Sequence, residues 1–168
     1  MSARREANAE PNAVLYRIKR GLSGYASYLA ACEMNQAFSE YVLYEPMLRI
    51  LIARGYRVNC EFRCPGFPRA ARSGDYKKID FEVNGHNLRF AIEVKWAKSA
   101  ALDVQGNREK LAAFHLDDPN SFSFLCIFGR QSHIKAVNLT PDNFTERGRA
   151  VYADFGITKY GCRIYEIH

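Results

Sequence analysis

The chain has 168 residues, 48% hydrophobic and 13% aromatic, which excludes a disordered segment and allows one domain with a sizeable core. No apolar run is long enough to cross a bilayer, and MSARREANAE lacks the apolar stretch of a secretory signal, so the sequence predicts a cytoplasmic protein with no membrane role. A formal net charge of +6 and a pI of about 9.1 suit a polyanionic partner.

Residues 1–11 are polar and read as a frayed N-terminus, with one domain over 12–168. Val14, Leu15, Ile18, Leu22, Tyr25 and Leu29 recur at helical spacing, predicting a helix from Asn12 to Asn35 that is weakened at Gly21 and Gly24. Arg17, Lys19 and Arg20 give it a basic side, for which a solvated face is favoured over a DNA contact. A second helix starts at Ser39 or near Tyr44 and Glu45 and ends at Gly55. Pro46 suits the later start, because a first-turn proline gives up no helical hydrogen bond.

Tyr56 to Cys64 alternates as a strand. CPGFPRAARSGDYKK then combines prolines and glycines with Arg69, Arg72, Lys77 and Lys78, the composition of a basic loop that either closes on a phosphate backbone or is solvated. The next stretch, YKKIDFEVNGHNLRFAIEVKWAKS, organises the rest of the chain. Ile79, Phe81 and Val83, followed by Leu88, Phe90, Ile92, Val94 and Trp96, predict one apolar face of a hairpin. If Asn84-Gly85 forms the loop, residue 83 pairs with 86 and Asp80 with Arg89; a four-residue loop pairs 83 with 88 and Asp80 with Ala91. Either register leaves Asp80, Glu93 and Lys95 on one side of the sheet, provided no bulge intervenes.

A helix from about Asp103 to His115, a turn at Asp117-Asp118-Pro119-Asn120 and a buried strand from Phe122 to Gly129 follow. Ile134 to Leu139 reads as another strand, Thr140-Pro141 as the start of a helix running towards Phe155, and Gly161 to His168 as a closing strand. Cys32, Cys60, Cys64, Cys126 and Cys162 read as reduced, with Cys60 and Cys64 ordinary strand and core residues and no zinc pair. His86, His115, His133 and His168 sit in no nucleophile motif and are assigned no chemistry.

Asp80 followed by Glu93-Val94-Lys95 resembles the signature of the PD-(D/E)xK nuclease superfamily, most nearly its small Holliday-junction-resolvase-like members. The likeness runs from the second helix to about Arg130, and Ile79 stands where the motif's name has proline. It implies a restriction-endonuclease-like α/β core: a central mixed sheet flanked by helices in αβββαβ order, here with extra N- and C-terminal elements. It implies Asp80, Glu93 and the Val94 carbonyl as Mg²⁺ ligands, with Mn²⁺ able to substitute, and Lys95 as a catalytic cation. It implies a helix glutamate at the metal as well, Glu45 first and Glu40 second. It places Gln105 and Lys110 of the later helix near the scissile phosphate, and Arg69, Arg72, Lys77, Lys78 and Lys98 are the further DNA-contact candidates.

The chemistry is coherent. Mg²⁺ favours oxygen ligands and one or two carboxylates, acidifies bound water and acts as a Lewis acid. An ammonium beside it stabilises charge that develops on the phosphoryl group. The sequence therefore predicts a Mg²⁺-dependent endonuclease acting on DNA, with a homodimer compatible with two-strand cutting. Two other readings stay open: a nucleic-acid-binding member of the same fold without turnover, and a protein-interaction module of a toxin or defence system. The competing reading of the trio, cross-strand ion pairs on a solvated hairpin face, is disfavoured by the shared parity, the helix glutamate and the basic charge.

Overall fold

Alternating strand segments and amphipathic helices assemble into three layers in the computed structural model, which describes residues 9–34, 39–70, 73–99, 101–140 and 143–167. Helix α1 spans Ala9–Ala31, starting ahead of Asn12 and stopping short of Asn35. A 3₁₀ turn at Tyr41–Leu43 leads into α2, Tyr44–Ala53, the later of the two expected starts. Gly55 ends this segment with φ of 81°.

Strands β1 (Arg57–Arg63), β2 (Lys78–Gly85) and β3 (Leu88–Ala97) form an antiparallel meander. Helix α3 (Gln105–Asp117) crosses over to β4 (Phe122–Arg130), which runs parallel to β3. After α4 (Gln131–Ala136), the short β5 (Phe144–Glu146) and β6 (Val151–Tyr152) and the long β7 (Tyr160–Ile167) complete a mixed seven-stranded sheet. Its order is β1-β2-β3-β4-β7-β5, with β6 also on β7.

One face of the sheet carries α1 and α2. Val14, Leu15, Ile18 and Leu22 of α1 and Met47 and Leu51 of α2 pack on Phe81, Val83, Phe90, Ile92 and Val94. The other face carries α3 and α4, with Leu111, Phe114 and Ile134 against Ala91, Leu125 and Ile127. Apolar burial of both faces of β4 matches its nearly unbroken apolar run. A Cβ on Gly21 would lie 2.5 Å from Ile50 Cδ1, so this glycine allows the close approach of α1 to α2.

Several local expectations are overturned. The hairpin turns at His86-Asn87, with φ of 53° and 57°, not at Asn84-Gly85. Val83 therefore pairs with Phe90 instead of residue 86 or 88. His86 Nε2 bonds the Arg54 carbonyl at 2.8 Å and its ring meets Tyr56 edge-on, tertiary contacts that no local pattern encodes. Ile79 joins the second core, whereas Phe81 joins the first. Between their partners on β1, Glu61 adopts φ of 52°, and this distortion breaks the alternation.

Residues 134–139 do not form a strand; Ile134 and Val137 are both buried, one helical turn apart, at and just beyond the end of α4. No α-helix forms between Asn143 and Phe155. Positive φ at Asn143, Gly148 and Gly156 cuts that stretch into β5, β6 and turns, while Pro141 lies outside the described residues, as does His168. Cys64 is buried in the second core and Cys60 is exposed on β1. Lys19, expected on a solvated face, is 3% exposed and donates to the Arg147 and Arg149 carbonyls at 2.8 Å each. Among the described residues no helix is long and apolar enough to cross a membrane.

Candidate active site

The β2–β3 ladder stops at the Phe81–Ile92 pair, while β3 continues beside β4 through Glu93, Val94, Lys95 and Trp96. Past that point the backbone N–H groups of Val94 and Trp96 have no strand partner on the β2 side. Two carboxylates take them: Val94 donates to Asp80 Oδ2 at 2.7 Å, and Trp96 donates to Glu40 Oε1 at 3.0 Å. The Asp80 N–H in turn donates to Glu93 Oε1 at 3.2 Å. Divergence of two strands thus gathers Glu40, Asp80 and Glu93 around one opening.

Each acid is held from a different layer. Tyr44, at the start of α2, donates its hydroxyl to Asp80 Oδ1 at 2.6 Å and to Glu61 Oε1 at 3.1 Å. Its ring packs on Phe81 with centroids 4.6 Å apart. From the opposite face, Asn107 and Lys110 of α3 reach Glu93 Oε2 at 2.6 and 2.5 Å. Lys110 also donates to the Lys78 carbonyl at 2.8 Å. Residues three apart on a helix share a face, so this pair points together into the sheet.

Burial governs the electrostatics. Glu93 is 1% exposed, and its carboxyl is pushed up to about 7, first by burial and then by the neighbouring Asp80; Lys110 and Asn107 oppose the shift. The short Lys110 contact favours the charged form, yet desolvation together with a second carboxylate outweighs it. Burial also raises Asp80, and Glu40 adds to this, against the Tyr44 hydroxyl, the Val94 N–H and Lys110. Tyr44 is raised well above the usual tyrosine value, chiefly by burial and then by Asp80, so it stays a donor.

The cleft has a volume of about 460 Å³ and is walled by Glu40, Asp80, Glu93 and Val94 together with Lys77, Lys78, Lys95 and Lys110. Lys95 is half-buried and forms no hydrogen bond or ion pair among the described residues. An unpaired ammonium thus stands beside a carboxylate cluster. That is the distinguishing feature of the site.

The expected residues divide. Asp80, Glu93, Val94, Lys95, Lys77, Lys78 and Lys110 come together at the cleft. Glu45 does not: it is exposed and bonds Arg49 one turn along α2, pointing away from the cluster. Glu40, the second choice, lines the cleft and accepts the Trp96 N–H. Arg69 folds onto the Gly74 carbonyl within its loop, Lys98 lies 5.2 Å over the Trp96 ring, and Gln105 bonds Glu109 at 3.1 Å, all outside the cleft lining. Arg72 lies outside the described residues. Lys77 pairs with Glu109 at 3.3 Å and Lys78 with Glu61 at 3.7 Å. Lys110, expected to meet DNA, is engaged by Glu93. Sequence reasoning missed Tyr44 and Asn107; Asn107 was accessible from its spacing to Lys110, whereas nothing local marked Tyr44.

Among the described residues no three His, Cys, Asp and Glu side chains close on one metal position. Two adjacent carboxylates, an open cleft and a lysine already neutralising one of them nonetheless fit a hard divalent cation with few protein ligands. Fold and site together define an α/β protein with a carboxylate cluster around the buried Glu93 and, at the same cleft, a lysine without an ionic or hydrogen-bond partner among the described residues. Compared with family models, with curated proteins and with solved structures, the chain matches none.

Proposed function

We propose that this chain is a metal-dependent phosphodiesterase, and in particular a Mg²⁺-dependent DNA endonuclease of the restriction-endonuclease-like type. The observation that carries the reading is the Asp80–Glu93 contact where β2 and β3 part, with unpaired Lys95 opening into the same cleft. The succession α2, β1, β2, β3, α3, β4 is the αβββαβ order that the resemblance implies, which supports it further. Asp80 and Glu93 are the residues to hold Mg²⁺, with the Val94 carbonyl beside them. When bound, the ion would lower the pKa of water and offset phosphoryl charge.

The protein's own groups have separate tasks. Tyr44 and the Val94 N–H fix the orientation of Asp80; Asn107 fixes Glu93. Lys95 is free to hold the attacking water or to stabilise the developing negative charge, and Lys77 and Lys78 draw the phosphate backbone to the rim. One observation favours a binding protein without turnover: Lys110 occupies the Glu93 oxygen that a cation would take. Incubation with supercoiled plasmid and branched DNA decides between the two. Nicking or cutting with Mg²⁺ or Mn²⁺ but not with EDTA is the expected result; intact DNA under every condition overturns it.

A second test needs no turnover. A carboxyl whose folded pKa is raised takes up protons on folding, so its stabilisation is present below its unfolded value and lost as pH rises through the folded one. For Glu93 that window lies between its ordinary value of 4.5 and about 7. Metal-free protein is expected to melt at a lower temperature at pH 8 than at pH 5. Mg²⁺ should recover stability at pH 8 far more than at pH 5, and Glu93→Gln should flatten both trends. A Mg²⁺ effect independent of pH and of Glu93 would remove this residue from the metal site.

A further inference from the structure

A second basic surface lies outside the cleft and shares no lining residue with it. The outward side of α1 forms one wall of two adjoining grooves. The first, about 740 Å³, lies against α2 and is lined by Tyr16, Arg17, Arg20 and Arg49 over an apolar floor. The second, about 460 Å³, lies against the 147–151 segment and includes Arg147 and Arg149. Tyr16 belongs to both and is 52% exposed.

Charge identifies the occupant. The residues lining the two grooves include seven cations and no carboxylate. Arg49 is paired with Glu45 and Arg147 with Glu166, the latter at 3.0 Å. Arg17, Arg20 and Arg149 are exposed and make no side-chain hydrogen bond or ion pair among the described residues. Guanidinium groups left unpaired around an exposed aromatic ring are the elements of a surface for unpaired nucleic acid: phosphates meet the arginines and a base stacks on the ring. Tyr16 and Arg20 are one turn apart, so ring and cation share a helix face.

We propose that the grooves flanking Tyr16 bind an unpaired nucleic-acid strand, with its phosphates on Arg17, Arg20 and Arg149 and a base stacked on Tyr16. This goes beyond the reading of the cleft and does not depend on cleavage. Helix α2 borders both places, with Tyr44 touching Asp80 at its start and Arg49 walling the groove further along.

The test is fluorescence anisotropy with a labelled oligothymidylate and with a duplex of equal length, over a series of salt concentrations in EDTA. The variants are Tyr16→Ala and the triple Arg17→Ala, Arg20→Ala, Arg149→Ala. The triple variant should lose about tenfold or more in affinity and flatten the log–log salt slope by about 2, at ~0.7 per phosphate. Tyr16→Ala should weaken single-strand binding about fivefold or more with the slope unchanged. Wild-type affinity and slope in the triple variant would overturn the proposal, as would equal loss of duplex and single-strand binding in Tyr16→Ala. Conversion of a dimer to a monomer by the triple variant, with affinity unchanged, would assign the face to a second copy and also overturn it. Cleavage with Mg²⁺ is scored separately, so an active enzyme with unchanged triple-variant binding loses only this proposal, and an inactive one with weakened binding loses only the nuclease reading.

Discussion

Lys95→Ala is expected to leave the fold and DNA affinity nearly unchanged and to slow cleavage by about 10²–10³-fold. The prediction is clean because Lys95 forms no hydrogen bond or ion pair among the described residues, so its removal breaks nothing. Its apolar neighbours in sequence hold β3 in place: Val94 is 2% exposed and packs in the first core, with Trp96 packed against it. Asp80→Asn and Glu93→Gln should be at least as damaging to the rate, since each removes an anionic oxygen donor. Both keep the side-chain shape and much of the hydrogen bonding, so their melting curves separate a chemical defect from a folding one. Single-turnover rates at saturating Mg²⁺ decide the matter. A Lys95→Ala enzyme cleaving at the wild-type rate would exclude this residue from the chemistry.

The second large effect distinguishes two glutamates. Glu40→Gln should slow cleavage about 10–100-fold and raise the Mg²⁺ requirement, because Glu40 adds negative charge beside Asp80 and fixes the backbone at Trp96. Glutamine can still accept the Trp96 N–H, so the geometry survives and only the charge is lost. Glu45→Gln should be indistinguishable from wild type, its one partner among the described residues being the exposed Arg49. This reverses the order expected from helix position. An impaired Glu45→Gln beside a fully active Glu40→Gln would mean that α2 meets the sheet through a different face.

The reversal has a physical origin. From sequence, a second helix starting at Ser39 or near Tyr44 carries Glu40 or Glu45, and nothing local shows which of the two faces the sheet. The chain makes a 3₁₀ turn at Tyr41–Leu43 before α2. The tighter turn changes the angular relation between the two residues, leaving Glu40 at the cleft and Glu45 outside.

Alternation along residues 81–83 and 88–96 was legible because period two follows from backbone geometry alone. That Asp80, Glu93 and Lys95 meet was legible from their order and spacing, but not that they do so across a break: alternation fails between Ile79 and Phe81, and the β2–β3 ladder ends before Asp80. The basic charge and the buried character of β4 were equally plain, being sums over composition. What only the tertiary structure decided were the features that depend on distant partners. His86 reaching the Arg54 carbonyl placed the turn. Two N–H groups left behind by β2 drew in Asp80 and Glu40. Tyr44, Asn107 and Lys110 met the acids from opposite layers of the sheet. Between Thr140 and Phe155 local propensity favoured a helix, and pairing with β7 overrode it: a strand edge needing hydrogen bonds outweighs the few tenths of a kcal/mol per residue by which ordinary residues prefer one backbone state.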